Sequence, residues 1–342
     1  MPAVDPTVIM ASTLPESTER PSQYMKSADR PSPLRRLAFA LATIAAIAPL
    51  GTGVARAAAP KENAVDFSGQ KIVVWEKRPT APKAAILLVH GRTWSSLPDF
   101  DLQLPGENLS LMDALVARGY AVYALDLPGY GKSPRLKDGW LSPDEAAEAL
   151  AAAMRWVAKN SGLQTKPALF GWSNGSRTSH LMAQRHPELL SDLILFGYPV
   201  DPNKKAFPTN DPAEPPRTPT TEQDARSDFI TPGSISPAAV NAYVAVALVA
   251  DPIRTDWRHL EQWNELDPAK LTVPVLLIQG QLDPNTPSNV QAQSFVRFGN
   301  PDRQWVILAG GDHAALLEKM QPAFIAAIIS FLERPRANSK GR

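Results

Sequence analysis

Six short runs of this chain are apolar throughout: Ala84 to Val89, Ala121 to Leu125, Ala168 to Phe170, Leu193 to Phe196, Val273 to Ile278 and Trp305 to Leu308. A strand with one wet face alternates apolar and polar residues. Runs with no polar position are expected where both faces are covered, as in a parallel sheet sandwiched between helices. Helical stretches fall between most of them. Leu111 to Arg118 follows the first run, and Ser142-Pro143-Asp144-Glu145 opens an alanine-rich helix reaching about Asn160, with a capping box and proline at its first position. Such alternation implies right-handed crossovers, a mostly parallel sheet, and active groups at the carboxyl ends of its strands. Lys71 to Glu76 reads as a peripheral strand, paired antiparallel with Val65 to Phe67 through Ser68-Gly69-Gln70.

One interval breaks the rhythm. Between Tyr198 and Leu271 no sheet strand is evident, Pro202 to Pro219 is rich in proline and polar residues, and Ser236 to Val249 is apolar enough for a helix. The expected organisation is therefore a core of residues 58–200 and 271–342 with a cap inserted at 201–270. Residues 1–57 differ in kind from the rest. Arg35-Arg36, the apolar run Leu37 to Leu50 and the small residues around Ala55-Arg56-Ala57 have the order of a secretory signal cleaved after Ala57. Met25-Lys26 offers a more ordinary start for such a signal. The mature chain is then expected in the periplasm or secreted, without stable membrane insertion.

Composition narrows the chemistry. The 342 residues carry a formal charge of +1, which gives no electrostatic case for nucleic acid or an anionic membrane and favours a small, near-neutral partner. With no cysteine there are no disulfides, thiol nucleophiles or thiolate metal ligands. No H-E-x-x-H and no G-x-G-x-x-G after a strand is present, so neither metal nor cofactor is expected. Oligomeric state is left open.

Three strand ends carry reactive residues. Ala168-Leu169-Phe170 runs into Gly171-Trp172-Ser173-Asn174-Gly175 and then a helix-like stretch, which presents Ser173 on a tight turn with glycines where side chains would collide. A serine hydroxyl is protonated at neutral pH and needs a base within hydrogen-bond reach, and imidazole suits that role. His313, in Gly310-Gly311-Asp312-His313 after the last strand, is the candidate base. Asp283, in Gly280-Gln281-Leu282-Asp283-Pro284, is the candidate acid that orients the imidazole. Asp201, after the strand that follows Ser173, is the alternative acid, and Asp312 is expected to point elsewhere. His180 and His186 read as structural, His259 as a cap residue, and His90 as a residue that holds its own loop.

With His90-Gly91 and Asp126-Leu127-Pro128-Gly129-Tyr130-Gly131-Lys132-Ser133, these motifs resemble the α/β-hydrolase superfamily from about Val65 to Leu332. The resemblance implies an α/β fold with a mostly parallel eight-stranded sheet, helices on both faces and an inserted cap. It also implies an oxyanion hole made by the backbone NH of Asn174 and of Arg92, with Thr93 the neighbouring alternative. Trp94, Phe100 and Trp172 are the candidate substrate-binding residues, with Leu102 in the same acyl-side wall. The expected reaction is hydrolysis of a small carboxylic ester through a Ser-His-Asp triad and an acyl-enzyme. Amide, peptide, lactone or carbon-carbon bond hydrolysis on the same triad is the enzymatic alternative, and an exported binding protein with this fold is the non-enzymatic one.

Overall fold

The computed structural model describes residues 59–336 apart from 206, 209 and 210. The expected export segment at 1–57 lies outside the described residues. An eight-stranded sheet is built from β1 (Lys61–Phe67), β2 (Gln70–Lys77), β3 (Ala84–Val89), β4 (Tyr120–Asp126), β6 (Ala168–Trp172), β7 (Leu193–Phe196), β9 (Val275–Gly280) and β10 (Arg303–Leu308). Its order is β1-β2-β4-β3-β6-β7-β9-β10. β2 pairs antiparallel with β1 and with β4, and every other pairing is parallel.

Period-two alternation sorts each strand's side chains between two cores. Leu87, Val89, Leu169, Leu195 and Leu277 face one side, packed under α3 (Pro143–Asn160) and α4 (Asn174–Arg185). Ile86, Leu88, Phe170, Phe196 and Ile278 face the other, under α2 (Leu111–Ala117) and α8 (Gln321–Leu332). The unbroken apolar runs thus reflect burial on both faces. Capping fixes where the helices begin: Ser142 accepts from the Glu145 NH while Glu145 accepts from the Ser142 NH, with Pro143 at the first helical position. Ser110 caps α2 in the same sense by accepting from the Asp113 NH.

Register aligns the strand ends. Val89 lies beside Gly171, Trp172 beside Phe196, Phe196 beside Ile278, and Gly280 beside Leu308. The loops after β3, β6, β7, β9 and β10 therefore leave the sheet at one edge.

Between β7 and β9 the chain forms α5 (Glu222–Arg226), α6 (Pro237–Ala250) and two short 3-10 turns. It also contributes β8 (Asp256–Trp257), which pairs in parallel with β5 (Trp140–Leu141) in a separate two-stranded ribbon. This strand was not evident from the sequence because two residues are too short to show a period. α1 (Ser96–Phe100), α7 (Ser288–Arg297) and a 3-10 turn at Pro187–Leu189 complete the elements of the described residues. Among the described residues no helix is long and apolar enough to cross a membrane.

Candidate active site

Ser173 sits between β6 and α4 with φ 55° and ψ −118°, outside the regions an L-residue favours. Its NH donates to the Phe196 carbonyl at 2.9 Å, which ties the strained residue to β7. The flanking glycines are needed for close approach. A Cβ on Gly171 would overlap the Gly175 carbonyl and the Ser179 hydroxyl, and a Cβ on Gly175 would overlap the carbonyls of Val89 and His90. Five non-glycine positions among the described residues have positive φ, and two of them, Ser173 and Thr93 (φ 102°), lie at this site. Both stand where backbone has to be aimed.

His313 Nε2 is 2.8 Å from Ser173 Oγ, and His313 Nδ1 is 2.7 Å from Asp283 Oδ2. The imidazole is held from several sides. Trp172 Nε1 donates to the His313 carbonyl at 2.7 Å, and its indole ring lies 5.8 Å from the imidazole. Gly197, at φ 55°, clears the ring edge, where a Cβ would stand 2.9 Å from Cε1. Asp283 has no exposed side-chain surface. Burial alone would raise its pKa, but the His313 hydrogen bond and the Asn285 NH at 2.9 Å more than offset this and hold the carboxyl below its ordinary value.

The competing residues lie elsewhere. Asp201 accepts from the Asn203 NH at 2.9 Å and pairs with Lys204 at 3.3 Å, with no contact to His313. Asp312 points to the segment after β7, accepting from the Thr231 NH at 2.7 Å. His90 Nδ1 lies 2.8 Å from its neighbour's carbonyl on Gly91, and Nε2 accepts from the Leu127 NH at 3.1 Å, so the ring joins the loops after β3 and β4. Burial pushes it down to about 4, which keeps it neutral. His180 is buried against the Tyr198 hydroxyl at 2.6 Å, His186 faces Glu148, and His259 is an exposed residue near Asp211.

Asn174 is the first residue of α4, so its NH has no carbonyl one turn back in the helix to bond. Arg92 and Thr93 follow Gly91, whose own Cβ position is 3.4 Å from Ser173 Cβ. Gly91, Arg92, Trp94, Asp99, Trp172, Ser173, Asp228 and His313 line a pocket of about 20 Å³. Trp94 and Trp172 are therefore at the pocket. Phe100 is not: α1 turns it inward, fully buried, edge-on to Phe170 at 5.9 Å, and Leu102 is buried in the same core. In the segment between β7 and β9, Trp257 and Trp263 pack on each other, with Trp257 Nε1 donating to the Tyr130 hydroxyl at 2.9 Å.

Two pocket residues had no sequence signal. Asp99 lies in the short α1, and Asp228 lies between α5 and α6, where no periodicity or motif marks it. The Asp126 to Ser133 turn carries no pocket residue. Asp126 accepts from the Ser96 NH, the Lys132 NH and Trp75 Nε1, and burial pushes its carboxyl up to about 6.

This sheet, with a serine on a strained strand-to-helix turn at its carboxyl edge, defines an α/β-hydrolase fold. A family model described as serine aminopeptidase, S33 (Hydrolase_4) matches residues 80–320, and the chain belongs to that family of serine hydrolases. Esterase Rv0045c of Mycobacterium tuberculosis is 33% identical over 91 residues, which is 26% of this chain and 29% of that protein. The match thus spans under a third of the relative's length. Among solved structures, the monoacylglycerol lipase of Paleococcus ferrophilus is similar in fold at TM-score 0.53 and 24% identity, covering 76% of this chain and 98% of that one. Epoxide hydrolase VrEH1 from Vigna radiata gives TM-score 0.55 at 18% identity, covering 80% and 98%.

Proposed function

We propose that this chain hydrolyses small carboxylic esters through an acyl-enzyme on Ser173. The observation that carries the reading is the continuous line of hydrogen bonds from Ser173 Oγ through His313 to Asp283. His313 takes the hydroxyl proton as Oγ attacks the ester carbonyl, and it then protonates the departing alcohol. Water, deprotonated by the same nitrogen, releases the acid and restores Ser173. Negative charge on the carbonyl oxygen is met by the NH groups of Asn174 and Arg92, at the positive end of the α4 dipole.

The Asp283 carboxyl, held below its ordinary pKa, remains ionised to orient the imidazole and stabilise the imidazolium. Serine as nucleophile favours acyl transfer over epoxide opening, for which an aspartate generally stands at this position.

The test is release of p-nitrophenol from p-nitrophenyl acetate, with labelling of Ser173 by a fluorophosphonate. Ser173→Ala should abolish labelling and lower kcat by roughly 10⁴-fold or more. A folded wild-type protein that neither cleaves short esters nor is labelled would exclude the reading and favour a binding role.

A further inference from the structure

The pocket that contains Ser173 also contains two carboxyls that the triad does not use. The Tyr243 hydroxyl lies 2.9 Å from Asp99 Oδ1 and 3.3 Å from Asp228 Oδ2. A phenol has one proton to donate, so it cannot satisfy two carboxylates at once. The carboxyl that goes without the phenol proton has to be satisfied in another way, and for an enclosed group that means carrying a proton of its own. Asp99 is the more enclosed, fully surrounded and close to the Gly91 NH at 3.3 Å, and burial with the neighbouring Asp228 charge pushes it well above the carboxylate range. Burial pushes Asp228 up to about 6, so it is the member that ionises near neutrality. The consistent arrangement has protonated Asp99 donating to the phenol oxygen and the phenol donating to Asp228. One negative charge is left, on the half-buried Asp228 that lines the pocket beside Trp94, Ser173 and His313.

Charge and position narrow what this carboxylate can meet. His313 lines the same pocket and becomes cationic during the reaction, so an ammonium there would face a positive group. An anion would face Asp228. A neutral donor meets neither objection. The pocket wall from Gly91 to Trp94 includes the loop proposed to bind the carbonyl oxygen, which puts the space on the acyl side. Ser173 and His313 line the same space, so a group held there stands next to the carbonyl that Ser173 attacks.

Resting on Ser173 as the acylated nucleophile, we propose that Asp228 is a specificity-determining residue that accepts a hydrogen bond from a neutral hydroxyl on the acyl chain, next to the scissile carbonyl. The preferred substrates are then short 2-hydroxy acyl esters. The Asp99–Tyr243 pair acts through Asp228 as its positioning support.

The experiment compares kcat/KM for p-nitrophenyl glycolate, methoxyacetate, propionate and glycinate in wild type, Asp228→Ala and Asp228→Asn. Methoxyacetate keeps the inductive effect of the oxygen without its donor, and propionate keeps the size without the oxygen. Wild type should prefer glycolate over both by about ten-fold or more, because its hydroxyl adds a hydrogen bond to a charged acceptor that neither analogue can supply. Asp228→Ala should bring the ratios to within a few-fold of one, and Asp228→Asn, which keeps an acceptor oxygen, should retain part of the preference. A purely structural role for Asp228 would lower all rates together and leave the ratios unchanged, which overturns the proposal. A wild-type ratio near one overturns it even if the variants do not fold, and so does a preference for glycinate over glycolate. Absence of all ester cleavage and of fluorophosphonate labelling would instead sink the Ser173 reading beneath it.

Discussion

Asp283 shows how one residue's ionisation sets the chemistry of its neighbour. Its carboxylate bonds His313 Nδ1, so the imidazole keeps its proton on that side and presents a lone pair at Nε2 toward Ser173 Oγ. In Asp283→Asn the amide can donate to Nδ1, which moves the proton to Nε2 and removes the acceptor that serine needs. The expected loss in kcat on p-nitrophenyl acetate is about 10²–10⁴-fold with KM little changed. Asp201→Asn should leave kcat within roughly two-fold, since that carboxylate is engaged by Asn203 and Lys204 at the surface. Equal losses in the two variants would sink the assignment of Asp283. The sequence already brought Ser173, His313 and Asp283 to one sheet edge, because each follows an apolar run and a glycine turn that together imply a strand end. Asp99 and Asp228 follow no such run. Their place at the pocket arises only when α1 and the segment after β7 fold over the strand ends, which no local pattern encodes.

At the scale of elements, the buried strands and the two-sided core were legible because burial on both faces leaves runs with no polar position. Boundaries were less so. β9 begins at Val275 instead of Val273, since Pro274 has no NH to give a ladder, and β6 continues to Trp172 through Gly171, which reads by composition as a turn. Phe100 was misplaced for a related reason. The segment after His90-Gly91 is expected to wall the acyl side, whereas the single turn of α1 rotates Phe100 into the core against Phe170. The junction of β6 with α4 depends on contact between α4 and the end of β3. A methyl group on Gly175 meets the carbonyls of Val89 and His90, so α4 has to withdraw and take the Asn174 NH with it. Gly175→Ala should therefore cost about 1–3 kcal/mol of stability and lower kcat by roughly ten-fold or more. Thermal unfolding and steady-state kinetics measure the two. An unchanged kcat in a destabilised protein would show that α4 does not carry the oxyanion donor.

For the whole molecule, the segment between β7 and β9 is held to the site loops by carboxyls buried in polar contacts. Asp251 accepts from the NH groups of Ser95 and Gly131, Asp312 accepts from the Thr231 NH, and Glu318 accepts from the Ser234 hydroxyl at 2.6 Å. The Lys319 NH adds a bond to the Ser234 carbonyl at 2.9 Å. Burial first, then the neighbouring Asp312, pushes Glu318 up from an ordinary 4.5 to about 8. The folded protein then holds a proton there that the unfolded chain releases above pH 4.5. Because the folded state binds more protons in this window, the contribution of Glu318 to stability is full below pH 4.5. It declines as pH rises toward about 8. Discounted for partial solvent screening, the effect is on the order of 1 kcal/mol between pH 5 and 8. Glu318→Gln keeps the shape and an acceptor for Ser234 but cannot ionise. Its melting temperature should fall less than that of wild type between pH 5 and 8, with the variant gaining on wild type by a few degrees at the upper end. Parallel melting curves across that range would mean that Glu318 is ionised in the folded protein and that its contact with Ser234 is made as a carboxylate.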